Sequence, residues 1–148
     1  MPLTVRPIPH GSAEYAAAVN LRRAILRTPL GLDFTSTQLS AEAADIHLAA
    51  FENDSLAGTL VLTPYDDKTM KLRQMAVDPD AQGKGIGVQL LAAAEAQTLT
   101  AGKTHITLAA RVTAQDFYTR NGYTAVGDVF EEVTIPHILM QKALTTQG

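Results

Sequence analysis

An apolar-patterned run that ends in closely spaced glycines and then opens a long helix leaves a chain few ways to fold. Here the run covers residues 70–77, and Gly83, Gly85 and Gly87 follow it. Ile86, Leu90, Leu91 and Ala94 then recur at helical spacing up to a carboxyl cap at Ala101-Gly102. Strand, glycine turn and helix in that order make a phosphate cradle. Glycine lets backbone approach a ligand without a Cβ in the way, and the first free N–H groups of a helix carry the positive end of its dipole. Lys84 adds a positive charge at the rim. The spacing is neither the G-x-G-x-x-G of a dinucleotide fold nor the G-x-x-x-x-G-K-[ST] of a P-loop.

The remaining elements follow from period and punctuation. Residues 3–8 read as a strand, and Ser12 caps a helix that Pro29 stops after about Arg27. Residues 28–40 have no clean period and suit a loop or short helix, the kind of segment that shapes substrate pockets. Residues 46–52, 56–63 and 70–77 form an antiparallel meander, joined by turns at 53–55 and 65–68. After the long helix come a strand at 105–109, a short helix at about 113–121 ended by Gly122, a strand at 124–133 and a last strand at 137–143. Helices alternating with a meander imply a mixed α/β fold, a largely antiparallel sheet flanked by helices.

Composition bounds the class. A chain of 148 residues with 46% hydrophobic content suits one domain over residues 1–148, with a sizeable core. A formal net charge of −3 and no basic run argue against nucleic acid and anionic membranes as partners. No apolar stretch approaches the roughly 20 residues that span a bilayer. The amino terminus lacks the charged and apolar regions of a signal peptide, so a cytoplasmic location is the expectation. Without cysteine there can be no disulfide, thiolate metal site or acyl-cysteine intermediate. Four scattered histidines with no H-x-x-x-H or H-x-H spacing give no case for a metal.

The cradle, Gln82-Gly83-Lys84-Gly85-Ile86-Gly87 behind Ala76-Val77-Asp78-Pro79, resembles the pyrophosphate loop of the GNAT family of N-acetyltransferases. A second stretch, Phe117-Tyr118 followed by Asn121-Gly122-Tyr123, is similar to that family too. The resemblance implies the GNAT fold, with acetyl-CoA as acyl donor and an amine as acceptor. It implies strands that part beside residues 70–77, with pantetheine in the gap bonded to backbone near Met75 and Val77. Backbone N–H groups near Met75 would polarise the thioester carbonyl, and the loop from Gln82 to Val88, Ile86 included, would hold the pyrophosphate. One departure is Gln82, where many relatives carry arginine; it can donate hydrogen bonds to phosphate without the charge.

By the same resemblance Tyr118 is the general acid for the departing thiolate. A phenol that is protonated at neutral pH suits that role; the competing reading is a packed tyrosine with a satisfied hydroxyl. Phe117 and Tyr123 read as core. An alkylamine is almost wholly protonated at pH 7, so a base or proton-accepting water chain is required. His137, in Ile135-Pro136-His137-Ile138, is similar to the Pro-His before the last strand in a subset of the family, and imidazole suits base chemistry. A structural imidazole bonded to a carbonyl is the alternative. Of Glu131 and Glu132, alternation points one inward, while His10, His47 and His105 read as packed or surface residues.

Arg73 and Gln74 are adjacent on a strand, so alternation lets only one reach the acceptor site. Arg22, Arg23 and Arg27 read as solvated, and Arg111 as a candidate near the cofactor. The mechanism implied is direct attack by an amine in a ternary complex, without a metal. A rival from another class is a catalytically silent acyl-CoA-binding sensor. Oligomeric state is open, a homodimer included.

Overall fold

The computed structural model describes residues 3–144. Among them seven strands form one sheet: β1 (Leu3–Pro7), β2 (Ile46–Glu52), β3 (Ser55–Pro64), β4 (Thr69–Val77), β5 (His105–Arg111), β6 (Thr124–Glu132) and β7 (Ile135–Ala143). Their order is β1-β2-β3-β4-β5-β7-β6. All neighbours are antiparallel except β4 and β5, which run parallel because a helix carries the chain from one to the other. This is the mixed, largely antiparallel α/β sheet expected from the sequence.

Helix α1 (Ala13–Leu26) begins where Ser12 accepts a hydrogen bond from the Tyr15 N–H at 3.1 Å, and it ends before Pro29, which sits in a 3-10 turn. The aperiodic segment contains α2 (Ser36–Ser40), a short helix closed by a capping box between Thr35 and Gln38. Helix α3 (Ile86–Thr100) is the crossover, and α4 (Gln115–Arg120) follows β5.

Alternation along β2 sorts side chains to two layers. Leu48 and Ala50 join the larger core with Leu60, Leu62, Leu90 and Ile106, whereas Ala49 joins Tyr15, Ala18 and Val19 under α1. Leu90 and Ala94 of α3 are wholly excluded from water, and burying a leucine stabilises by about 1.5–3 kcal/mol. That layer fixes the start of α3 against the end of β4. Strand β6 lies at the sheet edge and is exposed along its whole length. Among the described residues no helix is long and apolar enough to cross a membrane.

Candidate active site

Strands β4 and β5 pair only from Thr69 opposite His105 to Leu72 opposite Leu108. Past that point they separate. The β3–β4 register shifts between Thr59 and Val61, and Gln74 takes a left-handed φ of 55°, so β4 carries an extra residue. Such a bulge bends and twists its strand, here beside the point where the two strands diverge.

The glycine turn closes one end of the gap. Gly85 caps α3 at φ 78°, and Gly83 also lies in the left-handed region, with open space where a Cβ would sit at either position. No side chain caps α3, and its first intrahelical bond runs from the Gln89 N–H to the Gly85 carbonyl. The N–H groups of Ile86, Gly87 and Val88 are therefore left without intrahelical partners. Gly87 is needed for closeness, since a Cβ there would lie 3.0 Å from the Phe117 ring and 3.3 Å from Met75 Cε. A cavity of about 750 Å³ runs from this turn along Met75, Ala76 and Val77 to Arg111, Phe117 and Tyr118.

Not every residue of the loop faces that cavity with its side chain. Ile86 is 2% exposed and packs in the core, so only its backbone is offered. Gln82 turns its amide back towards the Val77 carbonyl at 3.4 Å, whereas Val88 is exposed beside the cavity. Lys84 is not a free rim charge: its Nζ lies 3.2 Å from Glu52 Oε1 on β2. Loop spacing could not show that partner, 32 residues earlier.

A second cavity, of about 130 Å³, shares Leu26, Met75, Arg111, Ala114 and Tyr118 with the first. Its other polar walls are Arg27, Arg73, Gln74, Glu132 and His137. Arg73 and Gln74 both line it, against the expectation from alternation, because the bulge at Gln74 breaks the two-residue period. Alternation does hold for the glutamates: Glu132 reaches the cavity and Glu131 does not.

Tyr118 stands between the two chambers. It is 9% exposed, wedged edge-on between Phe117 and Tyr123, and its hydroxyl donates to Met75 Sδ at 3.7 Å. Burial pushes the phenol up to about 12, so it stays protonated through neutral pH. His137 is buried at the far wall of the smaller chamber, with Nδ1 2.9 Å from the Ile135 carbonyl. A carbonyl only accepts, so Nδ1 carries the proton in the neutral ring and Nε2 keeps its lone pair, 3.8 Å from Glu132 Oε2. The imidazole is anchored by a carbonyl, as the structural alternative has it, and it also lines the cavity.

The helix-α1 arginines depart from the sequence reading. Arg22 is 1% exposed and grips Glu42 with two bonds of 2.8 and 2.7 Å. Arg27 lines the smaller cavity, and only Arg23 lies at the surface, paired with Asp33. Arg111 is near the cleft as expected, touching both chambers. His47 is packed, bonded to the Glu42 carbonyl at 2.9 Å. Glu42 was missed and Arg27 was read as solvated, while Gln74 was weighed only as an alternative to Arg73.

The comparisons agree with this architecture. Residues 32–144 match the model of the acetyltransferase (GNAT) domain. A Lactobacillus plantarum protein assigned as an N-acetyltransferase is 27% identical and superposes with a TM-score of 0.84 over 97% of this chain and 99% of that one. An acyl-CoA N-acyltransferase from Pseudomonas aeruginosa shares 24% identity and a TM-score of 0.79 over 96% and 100% of the two chains. A GNAT family acetyltransferase from Elizabethkingia anophelis, with acetyl-CoA bound, shares 20% identity and a TM-score of 0.73 over 96% and 98%. At the last two identities the likeness is one of fold. The chain belongs to the GNAT acetyltransferase family, a class of acetyl-CoA-dependent acyltransferases.

Proposed function

We propose that the protein transfers an acetyl group from acetyl-CoA to a primary amine by direct attack in a ternary complex. The observation that carries this reading is the meeting of two chambers at Tyr118 and Met75, beside the point where β4 and β5 part. The larger one fits acetyl-CoA on its own geometry. It offers unfilled helix-start donors, two left-handed glycines that leave open space, and a length of strand without a neighbour. Gln82, Gly83, Gly85 and Gly87, with the N–H groups of Ile86 and Val88, hold the pyrophosphate in this reading, and backbone at Met75 and Val77 holds the pantetheine arm. Lys84, already paired to Glu52, contributes less than its charge alone would.

The cosubstrate supplies a thioester, and the residues of the chain handle protons and charge. As the N–C bond forms and the C–S bond breaks, His137 Nε2 takes a proton from the amine. Glu132 Oε2 lies 3.8 Å from that nitrogen. Backbone N–H groups near Met75 receive the developing oxyanion. The Tyr118 hydroxyl, whose partner is the weak acceptor sulfur of Met75, turns to the leaving thiolate and donates to it. A sensor of acyl-CoA would need only the larger chamber, and the second chamber with its imidazole favours the enzyme.

The test joins binding and turnover: calorimetry with acetyl-CoA, and CoA release with a panel of small amines. Binding with turnover is expected. Binding without turnover on any amine would favour the sensor, and absence of binding would remove both readings. His137→Gln should lose the acidic limb of the pH–rate profile together with most of the turnover while acetyl-CoA affinity holds. An unchanged acidic limb would take His137 out of proton transfer.

A further inference from the structure

The smaller chamber is lined by three guanidiniums and one carboxylate, an unusual setting in which to bring an ammonium group. Two of the cations converge on a single atom. Arg27 Nη1 donates to the Leu26 carbonyl at 3.0 Å and Arg111 Nη2 donates to the same oxygen at 3.1 Å. Leu26 is the last residue of α1, so its carbonyl is one of the unfilled acceptors at the negative end of the helix dipole. That half-charge offsets part of two full positive charges. Among the described residues neither Arg27 nor Arg111 has a carboxylate within 4 Å. Arg73, facing them from β4, has only Asp45 at 3.9 Å and Thr63 at 3.5 Å.

These side chains are held in place. The Arg27 guanidinium lies 4.6 Å from the centroid of the Phe34 ring, which fixes its plane. Burial lowers both Arg27 and Arg111 from the usual guanidinium value, and for Arg27 the charge of Arg111 adds to the effect. Across the same chamber Gln74 presents a buried Oε1 with no hydrogen-bond partner, an acceptor without a donor. A volume of about 130 Å³ is close to the roughly 150 Å³ of an engineered cavity that takes up benzene, so the chamber suits a small group.

We infer that the acceptor is a small amine that brings its own carboxylate, an amino acid in chemical class, with the carboxylate on Arg27 and Arg111 and the amine towards Gln74 Oε1 and His137. This rests on the acetyl-transfer reading above and names its substrate. A plain alkylamine, a diamine or a polyamine would enter as a cation and meet three guanidiniums, whereas an amino acid enters with no net charge and satisfies both the unpaired arginines and the orphan oxygen. Once the carboxylate has neutralised part of the charge, the remaining positive field favours the neutral form of the amine, which is the nucleophile. The ammonium first gives one proton to solvent; the neutral amine then forms the amide N–C bond as the thioester C–S bond breaks, its second proton passes to His137, and the thiolate takes the Tyr118 proton.

The test uses protein saturated with desulfo-CoA, a non-reactive stand-in for the donor. Calorimetry compares glycine, alanine, serine, β-alanine and 4-aminobutyrate with the carboxamide and the decarboxylated amine of each, and 2-aminoethyl phosphate serves as an arm with a different anion. At least one amino acid should bind about 10- to 100-fold more tightly than its amide, the range expected of a charge-assisted bond. Arg27→Gln should erase that preference while leaving amide affinity and melting temperature in place, and Arg27→Lys should restore part of it. A purely structural Arg27 would move the melting temperature and leave the preference intact. Equal or tighter binding of the amides or amines, or no binding of any of them to the desulfo-CoA complex, overturns the inference and leaves acetyl transfer standing. Preference for 2-aminoethyl phosphate overturns the carboxylate assignment. Failure of desulfo-CoA and acetyl-CoA to bind removes the donor reading and this one with it.

Discussion

Arg22 and Arg27 lie five residues apart at one end of α1 and share the ring of Phe34, which sits 4.7 Å from one guanidinium and 4.6 Å from the other. Everything else about them differs. Arg22 is buried with both terminal nitrogens on Glu42, whose carboxylate also accepts from the Tyr15 hydroxyl at 2.9 Å and whose carbonyl bonds His47. Arg27 stands at a cavity wall with a backbone carbonyl as its hydrogen-bond acceptor. The first arginine has its anion within the fold. The second is held rigid without one, which stabilises the fold little and leaves a charge free to meet a ligand. Pairing completed inside the protein marks structure, and pairing left incomplete on a fixed side chain marks a site.

The largest expected effect breaks the completed pair. Glu42→Ala strands Arg22 in the core and should cost about 3–5 kcal/mol in denaturant unfolding. The same carboxylate makes a pH prediction. Burial pushes Glu42 up, but the Arg22 bonds and charge, together with the Tyr15 hydroxyl, bring it below its ordinary value. A depressed folded pKa gives stability that is present above the unfolded carboxylate value and lost as the pH falls through the folded one. Wild-type stability should therefore drop on acidification below about pH 4.3, the ordinary glutamate value, and Glu42→Gln should show a shallower acid slope. A variant with wild-type stability and acid slope would erase the contrast with Arg27.

Tyr118→Phe tests the incomplete side of the comparison. It removes a hydroxyl whose protein partner is a thioether, so stability should hardly change while turnover falls about 10²-fold, near 2.7 kcal/mol of barrier. Gly85→Ala comes next: the left-handed φ of 78° should cost about 1–2 kcal/mol of stability even though nothing obstructs the added methyl. Its acetyl-CoA affinity, measured beside its melting curve, separates strain at the turn from a lost phosphate contact. The smallest effect belongs to Arg27→Gln, which should change unfolding free energy by less than about 1 kcal/mol. A loss as large as that of Glu42→Ala would make Arg27 structural.

What was legible in the sequence were the features with a local cause. Ser12, Pro29, Gly102 and the glycine turn act within a few residues, and the structure bounds its elements close to where they predict. The order of strand, glycine turn and long helix was legible for the same reason, since the three are consecutive, whereas Tyr118 was singled out by the family resemblance. Arg22 and Glu42 were not, because neither residue carries a trace of a partner 20 positions away. Gln74 shows a different obstacle. Its bulge depends on how β4 registers against β3, and a period of two read along a single strand cannot register the extra residue.

The short ladder between β4 and β5 also makes the sheet a jointed body. One half is β1 to β4, the other β5, β7 and β6, and the ladder across the joint runs from Thr69 to Leu72 on one side and from His105 to Leu108 on the other, with the Lys68 carbonyl accepting from the Thr104 and His105 N–H groups at its end. In the free protein the backbone groups past Leu72 that face the gap have no strand opposite, so their amides should exchange with solvent sooner than those of β3 or β7. A molecule lying in that gap would act as an eighth strand along the open part of the joint, adding a backbone link between the two halves beyond their shared core. Hydrogen exchange would register this as a slowing spread along both strands, well beyond the atoms the molecule touches.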